Sequence, residues 1–243
     1  MNKTGIEWCD YTWNPITGCK HGCEYCYAAR MCNRFSTQTA RPDGGLHDLT
    51  KRHETIYPYG FDPTFHRYRL NQPKGLKKAQ NVFVCSMADM FGEWVPDEWI
   101  QEVLKACEAE PRHRYLFLTK NPKRYVELYD IIPKTKNIWL GTTATDADAD
   151  IFYDSGLSGI GGVFISAEPL MGDISERIDD GLVCRTDWVI VGAETGNRKD
   201  KVIPIRDWLE SIAQQCFGNC IPLFMKNSLA SVWGEPLIQE FPW

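Results

Sequence analysis

The chain has 243 residues, a formal charge of −5 and a pI of about 5.6. With 43% hydrophobic residues and 19 Gly it has an ordinary globular composition, which excludes disordered and collagen-like classes. The acidic balance argues against non-specific nucleic-acid binding by the whole surface, though not against a local basic groove.

The N-terminal stretch MNKTGIEWCDYTWNP has no apolar h-region, and no apolar run approaches the ~20 residues of a membrane span. The expectation is a cytoplasmic protein with reduced thiols and no membrane contact, so the ten cysteines call for a reason other than a disulfide framework. A first short strand is expected near Trp13–Thr17. Segment 41–80 then breaks the pattern: it carries eight Lys/Arg against four Asp/Glu, and it includes His47, His53 and His66. It reads as an irregular insert, either a packed loop that approaches an anionic ligand or a solvated loop.

Short apolar runs follow at Val82–Ser86, Tyr115–Thr119, Ile138–Thr142, Val163–Ser166, Trp188–Gly192 and Ile221–Met225, with starts 33, 23, 25, 25 and 33 residues apart. Helix-like stretches lie between several of them, at Asp97–Glu108, Lys123–Tyr129 and Ile205–Cys216. Continuously apolar strands alternating with helices predict a parallel sheet. The fold class expected is α/β, a partial or near-complete (βα) TIM-like barrel of six to seven parallel strands. Residues 1–243 would form one barrel domain, with the insert between its first and second strands. An open doubly wound sheet is the second choice.

Each run ends in polar or small residues, and parallel α/β folds bind ligands at these carboxyl ends. The candidates are Ser86, Met87 and Asp89; Lys120; Thr142 and Thr143; Ser166 and Glu168; Glu194; and Lys226. Thr145–Asp150 resembles the start of a calcium loop, but Ile151 and Leu157 stand where Gly and Glu are needed, so a helix start is expected instead. Gly159–Gly162 precedes a strand, whereas phosphate loops follow one, and reads as a turn.

The strongest chemical signal is Cys19, Cys23 and Cys26, at C-x3-C-x2-C spacing. Three thiolates this close can converge on one metal centre. Zinc would need a fourth ligand, for which His21 or Cys32 is at hand; the distant Cys216 and Cys220 do not make an obvious second pair. A [4Fe–4S] cluster held by three thiolates leaves one iron open to a substrate or cosubstrate. Tyr25, just before the third cysteine, can pack on a flat ligand such as adenine. Cys85, Cys107 and Cys184 lie in or beside apolar runs and read as core.

Residues 19–26 resemble the cluster-binding motif of the radical S-adenosylmethionine (SAM) superfamily. GIEWCDYTWNPITGC, FHRYRLNQPKGLKKAQNVFVCSMADMFG, ISAEPLMG, DWVIVGAETG and PLFMKN are similar to a narrower group, phage-associated radical-SAM-like proteins. The resemblance implies that Cys19, Cys23 and Cys26 hold a [4Fe–4S] cluster whose open iron chelates SAM. Reduction by a donor such as flavodoxin or ferredoxin would then yield a 5′-deoxyadenosyl radical. It also implies a SAM site at Tyr25, Ser86, Met87, Asp89, Thr142, Thr143, Ser166, Glu168 and Glu194. Lys120 and Lys226 would meet an anionic part of SAM or substrate, while Trp13 and Asn14 would shape the substrate entrance. The basic insert points to a nucleotide or nucleic-acid substrate; peptides and small metabolites stay open. Two other readings compete: a non-enzymatic zinc or iron–sulfur protein, and a hydrolytic barrel with Glu168 and Glu194 as acid and base.

Overall fold

The structure is a computed structural model that describes residues 1–36, 40–151, 159–178 and 186–243. It divides into two compact units, Met1–Pro133 and Lys134–Trp243.

The first unit contains β1 (Asn2–Lys3), β2 (Tyr11–Trp13), β3 (Ile16–Thr17), α1 (Tyr27–Phe35), β4 (His47–Leu49), β5 (Thr64–His66), β6 (Asn81–Val84), α2 (Asp97–Glu108), β7 (Arg114–Thr119) and α3 (Lys123–Glu127). Its main strands lie in the order β1, β2, β6, β7. The β1–β2 pair is antiparallel, while β2–β6 and β6–β7 are parallel. Helix α2 forms the crossover between β6 and β7. Asp97 and Glu98 favour its positive N-terminal end, and Trp99, Ile100, Val103, Leu104 and Cys107 bury one stripe at helical spacing.

The single strand expected over Trp13–Thr17 splits in two. Pro15 has no N–H with which to continue a ladder, so β2 stays with β6 while β3 turns away and pairs antiparallel with β5. Segment 41–80 is therefore not wholly irregular. Its β4 and β5 run parallel to each other and complete a three-stranded sheet with β3.

The second unit contains β8 (Ile138–Thr143), β9 (Gly162–Ala167), β10 (Trp188–Val191), α4 (Arg206–Gly218), β11 (Leu223–Met225) and α5 (Ala230–Trp233). The strands lie in that order, and the three pairings are parallel. Every residue of β9, β10 and β11 is buried, as continuously apolar parallel strands should be. Helix α4 packs Leu209, Ile212 and Cys216 against Ile165, Val189, Val191 and Leu223.

The strands alternate with helices as the sequence predicted, but among the described residues they do not close into a barrel. In the first unit β1 lies antiparallel along β2, and in the second Gln239 makes an antiparallel bridge to Phe224 of β11. No helix starts at Thr145–Asp150; instead Asp146 Oδ1 accepts the Asp148 N–H at 3.1 Å, an Asx turn. The turn at Gly159 forms as expected, with φ +102°. Cys85 and Cys107 are buried in the core, whereas Cys184 and Leu157 lie outside the described residues. No described helix is long and apolar enough to cross a membrane.

Candidate functional site

In the first unit the site begins where β2 and β6 end side by side. Trp13 O accepts the Cys85 N–H at 2.7 Å. Cys85 then adopts φ +58°, an uncommon left-handed conformation for a non-glycine residue. This turn brings Ser86–Asp89 back over the end of β2. Asn14 Oδ1 accepts both the Ser86 hydroxyl (3.2 Å) and the Met87 N–H (3.0 Å). Gly18 N–H donates to Met87 O at 2.9 Å, which joins the cysteine loop to the same strand end. Gly18 has φ +88°, and a Cβ there would lie 2.2 Å from the Asp62 carbonyl oxygen, so only glycine fits.

The three motif cysteines are partly exposed, unlike Cys9, Cys32, Cys85, Cys107 and Cys216, which are buried. None of the described cysteines is in a disulfide. Cys26 caps α1: its Sγ accepts the Ala29 N–H at 3.3 Å. Burial pushes the Cys19 thiol up to about 12; the nearby Asp89, Cys26 and Cys23 add to the rise, and a backbone hydrogen bond from His21 opposes it. The donor set of three neighbouring free thiols fits an iron–sulfur cluster. It fits a single zinc ion less well. Tetrahedral Zn–S bonds of about 2.3 Å need sulfurs roughly 3.8 Å apart. Among the described residues the only three ligand-type groups within 4.8 Å of one another lie elsewhere, in the insert.

Asp89 organises the space beside the loop. Its Oδ2 lies 2.7 Å from His21 Nε2 and accepts the Lys120 N–H at 2.9 Å; its Oδ1 accepts the Phe91 N–H at 3.0 Å. The His21 ring stands edge-on to Trp94, with centroids 4.8 Å apart. Lys120 Nζ sits 5.3 Å from the Tyr25 ring centroid, a cation–π contact. Tyr27 OH donates to Ser86 O. The first unit thus gathers Cys19, Cys23, Cys26, Tyr25, Asn14, Ser86, Asp89 and Lys120 around one strand end. Met87 belongs to this group through its backbone. Its side chain is buried with Ala28, Cys32 and Tyr57 beneath α1. Trp13 is fully buried, and its indole N–H donates to Arg69 O at 2.9 Å, so its surroundings are those of a packing residue.

In the second unit the strand ends carry ion pairs. Glu168, after β9, pairs with Lys226, after β11. Glu194, after β10, is held bidentately by Arg198, with both contacts at 2.8 Å. Ser228 Oγ accepts the Ala193 N–H at 3.0 Å between them. Thr142 is fully buried near the end of β8, with Thr143 following it half-buried. Ser166 Oγ is buried without a hydrogen-bond partner among the described residues.

Sequence reasoning missed three contributors. His21 has a role that its residue type alone does not announce: its ring Nε2 meets Asp89 Oδ2 at 2.7 Å. Arg198 follows Glu194 by four residues, but in a loop rather than a helix, so helical spacing could not announce the pair. Trp94 carried no local signal at all.

No curated protein matches the chain. Two solved structures of spore photoproduct lyase share its fold, each at 10% identity. One is a mutant with bound AdoMet and dinucleoside spore photoproduct; its match has a TM-score of 0.53 and covers 88% of this chain and 62% of that one. The other is also a mutant; its match has a TM-score of 0.54 and covers 92% of this chain and 78% of that one. The family described as "Protein of unknown function (DUF5131)" matches residues 3–237, so the chain belongs to that family.

Proposed function

We propose that the chain is a radical SAM enzyme that acts on a nucleotide or nucleic-acid substrate. The observation that carries the reading is the set of three partly exposed thiols, Cys19, Cys23 and Cys26, on a loop hydrogen-bonded to the β6 strand end. The AdoMet and dinucleoside held by a structure of the same fold support both the cosubstrate and the substrate class. Cys19, Cys23 and Cys26 would hold a [4Fe–4S] cluster. With SAM and an electron from a donor such as flavodoxin or ferredoxin, the cluster held there would supply one-electron C–S cleavage and so a 5′-deoxyadenosyl radical for hydrogen abstraction.

The chain's own residues have positioning roles. Asp89 fixes His21 in the middle of the cysteine loop, and through Lys120 N–H it fixes the end of β7. Asn14 holds Ser86 and Met87, whose turn is the proposed seat for the polar end of SAM. Tyr25 offers a ring face to a flat base, with Lys120 beside it for a phosphate or carboxylate. In the second unit Thr142, Thr143, Ser166, Glu168 and Glu194 remain candidates for SAM, and Lys226 for the substrate.

The competing readings are weaker on specific grounds. A structural zinc site is less well served: among the described residues no three ligand atoms of the cysteine loop lie within 4.8 Å of one another, and Cys32 is buried with its Sγ 3.4 Å from Ser36 Oγ. A hydrolytic pair formed by Glu168 and Glu194 would need free carboxylates, and both are ion-paired.

The deciding experiment is anaerobic reconstitution with iron and sulfide, followed by reduction in the presence of SAM. About four irons per chain and release of 5′-deoxyadenosine are expected. A colourless protein that holds one zinc overturns the reading.

A further inference from the structure

The insert holds a second cluster of ligand-type side chains, separate from the cysteine loop. Asp43, His47 and Asp62 each present one donor atom, all within 4.8 Å of one another. His47 Nε2 lies 3.2 Å from Asp43 Oδ1 and 3.5 Å from Asp62 Oδ2. That nitrogen is closed off from solvent, yet it makes no hydrogen bond among the described residues. The separations are short enough for one, so the directions are wrong: an N–H in the ring plane does not aim well at either oxygen. A neutral ring nitrogen that turns its lone pair toward two carboxylates is repelled by both. A cation in the gap makes all three contacts attractive.

The three donors are held in place before any ligand arrives. Asp62 Oδ2 accepts the Asp43 and Gly44 N–H groups at 2.8 and 2.9 Å. Asp43 Oδ1 accepts the Gly45 N–H at 2.7 Å. The His47 ring lies flat on Tyr59, with centroids 3.6 Å apart and planes 5° apart, and the His47 backbone N–H donates to Pro63 O at 3.0 Å, which holds its residue in place. The His47 and Asp62 side chains are only 11% and 16% exposed, whereas Asp43 is 67% exposed, so water can reach the open side.

We propose that Asp43, His47 and Asp62 bind one divalent cation of the manganese class. Two carboxylates and one imidazole form an oxygen-rich mixed set that suits Mn²⁺, with water in the remaining positions. The cation would fasten the 43–45 turn to the start of β4. It would also brace the cysteine loop, because Lys20 Nζ donates to Gly44 O at 2.9 Å and Cys19 N–H donates to Phe61 O at 3.2 Å. No cysteine takes part, so this site stands or falls independently of the radical SAM reading.

The test is titration of the full chain with Mn²⁺, followed by loss of the free-ion electron paramagnetic resonance signal. One Mn²⁺ per chain is expected, with a rise in Tm. Asp43→Asn and His47→Gln should each raise Kd by about tenfold or more. Asp43 is mostly exposed, so its variant keeps the fold; circular dichroism checks this. Cys23→Ala should leave Mn²⁺ binding unchanged, which separates this result from any failure of the cluster. Absence of saturable Mn²⁺ binding by the wild-type chain, or equal binding by Asp43→Asn, overturns the proposal.

Discussion

His21 Nε2 and Asp89 Oδ2 are 2.7 Å apart across 68 residues of sequence. This contact ties the middle of the cysteine loop to the end of β6. Asp89 does more than hold His21, because it also accepts two backbone N–H groups. Asp89→Ala should therefore cost about 2–4 kcal/mol, since it leaves two inward amides without an acceptor. His21→Ala leaves those amides satisfied and should cost about 1 kcal/mol. Urea unfolding of both variants checks this; equal losses would show that the backbone contacts carry no weight.

The cysteines should separate by exposure rather than by reactivity alone. Cys19→Ala, Cys23→Ala and Cys26→Ala should each abolish SAM cleavage and lower bound iron after reconstitution. Cys32→Ala should keep both, although it removes a buried sulfur and lowers stability by about 1 kcal/mol. Iron content and 5′-deoxyadenosine release measured on the same samples decide it. Cleavage retained by any of the first three refutes the ligand assignment.

Two glycines of the cysteine loop make a matched pair. Gly18 and Gly22 both have positive φ, at +88° and +69°. A Cβ on Gly18 would meet the Asp62 and Phe61 backbone, whereas one on Gly22 would meet nothing within 4 Å. Gly22→Ala should cost about 1 kcal/mol, from backbone strain alone. Gly18→Ala should cost clearly more, because the Asp62 backbone must move. Thermal melts of the two variants give the difference, and similar values would contradict the close approach.

His66 gives the insert an acid sensitivity. Burial, with a smaller push from Arg69, lowers its imidazole to about 3, and its Nε2 meets Thr17 Oγ1 at 2.9 Å. The ring stays neutral in the fold but takes a proton below about 6.5 once the chain unfolds. The unfolded state therefore binds more protons between about 6.5 and 3, and stability falls as pH drops through that window. The contribution is a few kcal/mol at most, on the order of 1.4 per pH unit. His66→Gln should flatten this slope in unfolding curves measured at pH 7, 5.5 and 4. An unchanged slope would mean that the ring charges within the fold.

The alternation of strands and helices was legible because continuously apolar runs such as WVIV and VFIS have no other place than a covered parallel strand. The cysteine loop was legible as a group of neighbouring thiols because Cys19, Cys23 and Cys26 lie within eight residues of sequence. Long-range geometry was not. Nothing local says that Cys85 turns left-handed, that Asn14 caps the Ser86–Met87 turn, or that His21 finds Asp89. Trp13 read as an entrance residue because an aromatic beside a polar stretch looks the same in sequence whether it faces solvent or Tyr115. The insert read as irregular because its strands are three residues long and too short to show a period.

The last residues of the chain lie along β11 rather than trailing away. Met225 N–H donates to Ile238 O, Glu240 N–H donates to Leu223 O, and the Trp188 indole donates to Glu240 O. Phe241 and Trp243 then stack among Trp188, Phe224 and Trp139. This return segment covers an edge that would otherwise offer unpaired peptide groups to another molecule's strand. Its job is thus partly protective: it keeps the molecule from adding copies of itself edge to edge, a hazard distinct from unfolding and one that a cleavage near residue 237 would expose.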